Sequence, residues 1–285
     1  MIGSCIIDGI DLGTLGIFIE RGGSDDFLSF PDRRIPDQND WAEYDGLDVD
    51  LTDLSFDAKR VRVNYVIIAA DETVFNQRLN SFEALHFAPG SRQIFVREFN
   101  RAFSLRFVAC HRYQHTGGLA NERKKIGKMA ADYMMDNPLQ LFTQGTNTPV
   151  SARNTAHITL NQIDLSRFGI VVQDAYSTAL RPRSAKRVLE QRGANGIIAD
   201  VGVAPKKAAR QITVECTMIA ETLTEFYTNY NALFNNLRTP VAVRLGITRT
   251  GTALNCYYLR MTNFRKLAPF SRKIKVSFNL ILQEI

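Results

Sequence analysis

One tryptophan, four histidines and four cysteines are all that 285 residues contain of the side chains that most often carry chemistry. Four scattered histidines, His86, His111, His115 and His157, leave little material for acid-base catalysis. Cys110, His111 and His115 form the one grouping with ligand character, but they follow a strand-like run and precede Gly117-Gly118, and a fourth ligand is missing. The acid-rich run Asp45-Gly46-Leu47-Asp48-Val49-Asp50 lacks the order of an EF-hand loop, so its Gly and Asp residues read as turn formers. A nucleophile elbow, a phosphate-binding glycine loop and a dinucleotide fingerprint are all absent, which removes support for serine hydrolysis and nucleotide cofactors. The expectation is therefore no enzyme, no cofactor and no metal. Cys5, Cys110, Cys216 and Cys256 sit mostly in apolar, strand-like surroundings and read as buried free thiols rather than disulfides. No uncharged run approaches the roughly 18 residues that span a bilayer, and Met1–Asp8 has no basic segment of a secretory leader. These features predict a cytoplasmically made chain without membrane insertion.

What the sequence does have is itself twice. The frame Ile-Asp-Leu, three residues, Gly-Ile occurs at Ile10–Ile17 and again at Ile163–Ile170, 153 residues later. Val61–Ala69 matches Ile212–Ala220 at a spacing of 151, and Phe75, Asn80 and Pro89 fall on Phe226, Asn231 and Pro240. Two copies of one folding unit imply a repetitive surface, and repetitive surfaces build assemblies. Hydrophobic content of 45% with 22% charged residues is that of a folded globular chain, long enough for two cores.

Val61, Val63, Tyr65 and Ile67 alternate with Arg62, Asn64 and Val66, a period of two that predicts a half-buried strand; Ile212, Val214, Cys216 and Met218 repeat it. Asp71–Phe87 and Glu221–Leu237 carry apolar residues at spacings of three and four and predict one amphipathic helix per half, each stopping before a proline. Strands are expected at Val241–Ile247 and Leu254–Met261 around a Thr250-Gly251 turn, and at Ile274–Leu282. Phe103, Leu105 and Phe107 suggest a closing strand for the first half, which then lacks one hairpin relative to the second. Between the halves, Ile126, Met129, Ala130, Tyr133 and Met134 stand at helical spacing, with Asn121 as an N-cap and Pro138 beyond the end. The division that follows is 1–118, a linker with a helix at 119–155, and 156–285.

In each half the connection between the Gly-Ile strand and the alternating strand is long, and the two versions differ in sign. Ile35–Ala58 holds eight acids, Asp37, Asp40, Glu43, Asp45, Asp48, Asp50, Asp53 and Asp57, and no Lys or Arg. Residues 181–210 hold Arg181, Arg183, Lys186, Arg187, Arg192, Lys206, Lys207 and Arg210 against Glu190 and Asp200. Loops of this length are uncommon unless functional. Complementary charge at matching positions predicts that the acidic loop of one half docks on the basic loop of the next, fixing the order of halves. A net charge of +6 suits a polyanion partner less well than it first suggests, because no aromatic platform interleaves the cations.

The frame Asn161–Ile170, the loop through Arg192-Gly193-Ala194-Asn195-Gly196, the alternating strand, the helix and Pro240 together resemble the tail-tube-like domain of phage distal tail proteins, best over 156–285 and more loosely over 1–118. That resemblance implies a β-rich α+β chain of two tandem β-sandwich or curved-sheet domains with one main helix each. It implies a structural component of a phage tail, of distal-tail, tube or baseplate-hub type, forming a ring around the DNA channel. The partners it implies are further copies of the chain, as a trimer in preference to a hexamer, and other tail proteins; DNA is met only in passage. The location it implies is the virion tail, assembled in the bacterial host cytoplasm. Typical distal tail proteins carry one such domain followed by a different sandwich, and here both halves look tube-like. The competing class is a carbohydrate- or ligand-binding β-sandwich module, which calls for an exposed aromatic platform; Trp41, the single tryptophan, lies in the acidic loop.

Overall fold

A computed structural model describes residues 4–116, 125–142, 148–151, 153–186, 190–193, 196–199, 204–270 and 273–285. The first half contains β1 (Cys5–Ile7), β2 (Ile10–Asp11), β3 (Ile17–Ile19), β4 (Gln38–Asn39), β5 (Asp48–Val49), β6 (Lys59–Ala69), α1 (Glu72–Phe87), β7 (Arg92–Val96), β8 (Arg101–Thr116) and β9 (Lys125–Met135). The second contains β10 (Ile158–Leu160), β11 (Ile163–Asp164), β12 (Ile170–Asp174), α2 (Tyr176–Ala179), β13 (Glu190–Gly193), β14 (Gly196–Ala199), β15 (Gln211–Ala220), α3 (Leu223–Leu237), β16 (Val243–Ile247), β17 (Thr252–Lys266) and β18 (Ile274–Glu284).

Each half is built on one seven-stranded sheet. The orders, β2-β1-β7-β8-β9-β6-β3 and β11-β10-β16-β17-β18-β15-β12, match strand for strand. The sheets are curled: β8 pairs with β7 through Arg101–Leu105 and with β9 through Arg106–Thr116, so one long strand serves two neighbours in succession. The strand that alternates in sequence lies next to the edge strand in both, with Val61, Val63, Tyr65 and Ile67, and Ile212, Val214, Cys216 and Met218, all buried. The main helix of each half packs on this inner face, α1 through Phe75 and Phe82, α3 through Phe226 and Leu233. Asp71 and Thr222 cap them, each side chain accepting from the backbone N–H three residues on, which satisfies one of the orphan donors of a helix start.

The repeated frame has a local physical cause. Asp11 and Asp164 each accept a backbone N–H two residues ahead, from Gly13 at 2.9 Å and Ser166 at 2.9 Å, which tightens the turn. Leu12 and Leu165 plug the end of the sheet and are buried. Gly16 and Gly169 then take φ of +62° and +73° and pass so close to the next strand that a Cβ would stand 2.7 Å from Ile68 O and 2.6 Å from Ile219 O. Only glycine meets both demands, and the following Ile17 and Ile170 enter the edge strand.

Three expectations are corrected. The segment expected as a linker helix is β9, an eleven-residue strand between β6 and β8 and the counterpart of β18. Its spacing imitates a helix because both faces are covered. Met129, Ala131, Tyr133 and Met135 face the core, while on the other face Asp132 is fully buried under Arg60, Arg62 and His111 at 2.5–2.8 Å. The Arg62 hydrogen bond holds the Asp132 carboxyl below the usual carboxylate range. With β9 in place the first half lacks no hairpin, and Phe103, Leu105 and Phe107 belong to its penultimate strand. Cys5, Cys216 and Cys256 are buried free thiols, whereas Cys110 is exposed. Among the described residues no helix is long and apolar enough to cross a membrane.

Candidate functional site

The long connection of the first half does not stay over the first half. After β3, residues 24–57 run as a strap across the second half, and its apolar residues come first. Phe30, 2% exposed, lies between helix α3 and β17, with ring centroids 4.5 Å from Tyr230, 4.8 Å from Phe234 and 6.5 Å from Tyr258. Tyr230 donates its hydroxyl to Leu28 O, and Tyr258 donates to Pro31 O at 3.1 Å. Burial pushes both phenols well above their ordinary range, so each stays a donor.

Arg33, buried, follows. Its backbone N–H donates to Leu259 O at 2.8 Å, at a bulge in β17, and its guanidinium reaches Thr239 O at 3.2 Å. At the start of the strap Lys59 donates to Phe27 O and Ser29 O, and burial pulls its amine down to about 7. A second lock joins the halves where Lys266 contacts Ser24 Oγ at 2.9 Å and Glu98 Oε2 at 2.5 Å and lies 5.0 Å over the Phe99 ring.

The acidic and basic loops meet within one chain. Lys186, buried, forms an ion pair with Asp40 at 2.6 Å and donates to Trp41 O at 2.7 Å and Gly46 O at 2.6 Å. Asp45 accepts from the Lys207 backbone at 2.7 Å, which holds its carboxyl below the usual range, and Gly46 N–H donates to Lys207 O. The remaining sequence-selected acids serve the loop itself. Asp50 N–H donates to Asp37 O, Asp50 accepts from Thr52, and Asp48 accepts from the Trp41 indole at 3.3 Å. Glu43 is exposed.

On the basic side Arg183 and Arg210 converge on Glu284, whose carboxylate is 1% exposed; Arg183 donates to Oε1, and Arg210 Nε lies 2.9 Å from Oε2. Arg210 also donates to Arg181 O. Arg192 lies in β13, and Arg187 falls outside the described residues. Sequence reading missed Phe30, Arg33, Lys266 and Glu284. A signal existed for two of them: Phe27-Leu28 and Phe30 form an apolar run at the head of a loop, and Glu284 is an acid in line with apolar β18 positions.

The first half has the counterpart of this receiving groove, and it is open. A cavity of about 430 Å³ lies between α1 and β8, lined by residues that include Leu79, Glu83, His86, Phe87, Phe107 and Val108. Its floor is a polar chain in the core. His86 Nδ1 is 2.6 Å from Phe82 O, an acceptor only, so Nδ1 carries the proton; Nε2, 2.6 Å from Tyr133 Oη, then accepts from that hydroxyl, which in turn accepts from the Tyr65 hydroxyl at 3.0 Å. Burial pulls His86 down to about 4, with Arg92 pulling the same way and the Phe82 carbonyl and Asp8 opposing. The unfolded imidazole titrates near 6.5, so the unfolded chain binds more protons between pH 6.5 and 4, and stability falls as pH falls through that window. The expected loss is up to about 3 kcal/mol by pH 4. His86→Leu, which installs the residue found at the matching Leu237, should flatten the urea-midpoint profile over that range, and an unchanged profile would dismiss His86 as its source.

No protein-family model matches the chain, and no curated protein matches it in sequence. Among solved structures, the crystal structure of the Dit protein of SPP1, titled a paradigm of the hub adsorption apparatus in phages that infect Gram-positive hosts, is similar at 10% identity and a TM-score of 0.36 over 99% of this chain and 98% of that one.

Proposed function

We propose that this protein is a structural component of a phage tail, of distal-tail, tube or baseplate-hub type, and that its work is geometric rather than catalytic. One observation carries the reading. Two halves with identical strand order are joined by a strap that leaves one half and seats itself in a groove of the next. A contact between unlike faces of equivalent units is heterologous, and repeated from chain to chain it generates a closed ring when the rotation closes.

Three chains presenting six equivalent sheets form the ring favoured by this reading, with six chains as the larger plan. The ring encloses the channel through which DNA passes, other tail proteins stack on its two faces, and the virion tail is its location. Sedimentation and negative-stain imaging of the purified chain test it. The expected species has three or six times the 32.1 kDa chain mass and an annular outline. A monomer at every concentration, with affinity for a sugar, would replace this reading with that of a ligand-binding module.

A further inference from the structure

The lock at Lys266 gathers an amine and two carboxyl groups from different halves. Lys266 Nζ, on a side chain 10% exposed at the end of β17, lies 2.5 Å from Glu98 Oε2 and 3.9 Å from Asp25 Oδ1. Asp25 stands at the head of the strap with its side chain 15% exposed. Its Oδ2 accepts from the Lys266 backbone N–H at 3.4 Å, while Oδ1, the oxygen nearer the amine, is buried with no hydrogen-bond partner among the described residues. Glu98, between β7 and β8, is fixed at its other oxygen by the Phe270 N–H at 3.2 Å, and the Phe99 ring lies 5.0 Å from the amine.

An ion pair alone does not account for this arrangement, because Glu98 already satisfies the amine and the stranded Asp25 oxygen is a cost. Chemically the three groups are a nucleophile, an acyl group and a proton carrier placed side by side. Burial raises the Asp25 carboxyl above its ordinary range; Lys266 opposes the rise, and Asp26 and Glu98 add to it. The neutral acid so favoured is the form that yields water as a leaving group. Bond formation asks for roughly 3–3.5 Å between the nitrogen and the carboxyl carbon. An amine 3.9 Å from the adjoining oxygen reaches that separation by movement of its own flexible side chain.

We propose that Lys266 and Asp25 join in an intramolecular isopeptide bond, with Glu98 carrying the proton. Lys266 gives one proton to Glu98, and the freed amine attacks Asp25 Cγ to form the C–N bond. The Cγ–OH bond then breaks, and the hydroxyl leaves as water with a second lysine proton. The amide keeps the third, Glu98 returns its proton to solvent, and no oxidant, reductant or further substrate takes part. A cavity of about 810 Å³, lined by residues that include Ser24, Glu98 and Lys266, gives the water an exit. The bond spans 241 positions and ties the head of the strap in one half to the last residue of β17 in the other. Nothing in this chemistry depends on the ring.

Intact-mass spectrometry of the full chain in denaturant, read together with a tryptic map, tests it. The expected chain weighs one water less than its sequence, and one branched peptide carries both Asp25 and Lys266. A succinimide at Asp8-Gly9 or Asp45-Gly46 would also lose water, so Asp25→Asn supplies the discriminating reading: the same bond then forms with loss of ammonia in place of water. Glu98→Gln keeps an oxygen for the Phe270 N–H, so it should retain the parent circular dichroism while staying at full mass with two separate peptides. A parent at full mass after prolonged incubation at neutral pH, or a water loss that maps to an Asp-Gly pair alone, overturns the bond. A Glu98→Gln chain linked as completely as the parent overturns the role of Glu98.

Discussion

Phe30→Ala is expected to destabilise the whole chain by about 3–5 kcal/mol, the range found when a fully buried aromatic ring is truncated in a close-packed site. The physical reason is the number of partners that lose it at once. Phe30 touches Tyr230, Phe234, Tyr258 and Phe142, so a cavity opens between α3, β17 and the chain segment that follows β9. Those partners come from both halves, and the surroundings cannot collapse without moving the strap. Urea unfolding followed by circular dichroism measures it, and limited proteolysis at 24–57 should accelerate. Arg181→Ala, at an exposed position in the long connection of the second half, is the control and should change stability by less than about 0.5 kcal/mol. If both variants unfold at the parent midpoint, the strap is not an element of the core.

Glu284→Ala should cost about 3 kcal/mol, because it strands charge rather than merely removing a contact. The carboxylate is 1% exposed between Arg183, whose side chain is 25% exposed, and Arg210, at 10%. Arg183 can turn outward to water, and Arg210 cannot. Residue 284 pairs with Arg210 where, in the first half, Met135 stands opposite Lys59, and Lys59 solves the same burial with two backbone carbonyls of the strap. Glu284→Met therefore borrows the first half's side chain without its acceptors. It should unfold as easily as the alanine variant despite its better packing. A loss under about 1 kcal/mol for both would show that Arg210 finds other acceptors and that the pair is dispensable.

Much of the fold was legible because each half obeys simple periods. Strands β6 and β15 alternate, the helices start at Asp71 and Thr222 and stop before Pro89 and Pro240, and the Ile-Asp-Leu frame repeats since Gly16 and Gly169 answer a backbone constraint that no other residue meets. The strand β9 was illegible for an equally definite reason. A period of two requires one wet face, and the outward face of β9 is covered by arginine side chains drawn in by Asp132, so Ala130 and Met134 read as a helical stripe. The acidic and basic loops were visible as opposed charge, but which residues touch was not, since a Coulomb argument fixes sign and leaves geometry open.

By itself the sequence determined the duplication and, within each half, the alternating strand, the main helix and the turn glycines, which depend on neighbours within a few positions. Only the tertiary structure decided that the strap of one half fills the groove of the other, that Lys186 is buried under Gly46 and Trp41, and that the matching groove beside α1 stands open. Those facts join residues some 140 to 230 positions apart, as in Lys186 with Gly46 or Pro31 with Tyr258, and no local period records a contact of that separation. They follow from closing two curled sheets upon each other, a choice made by the summed burial of aromatic surface rather than by any single stretch of chain.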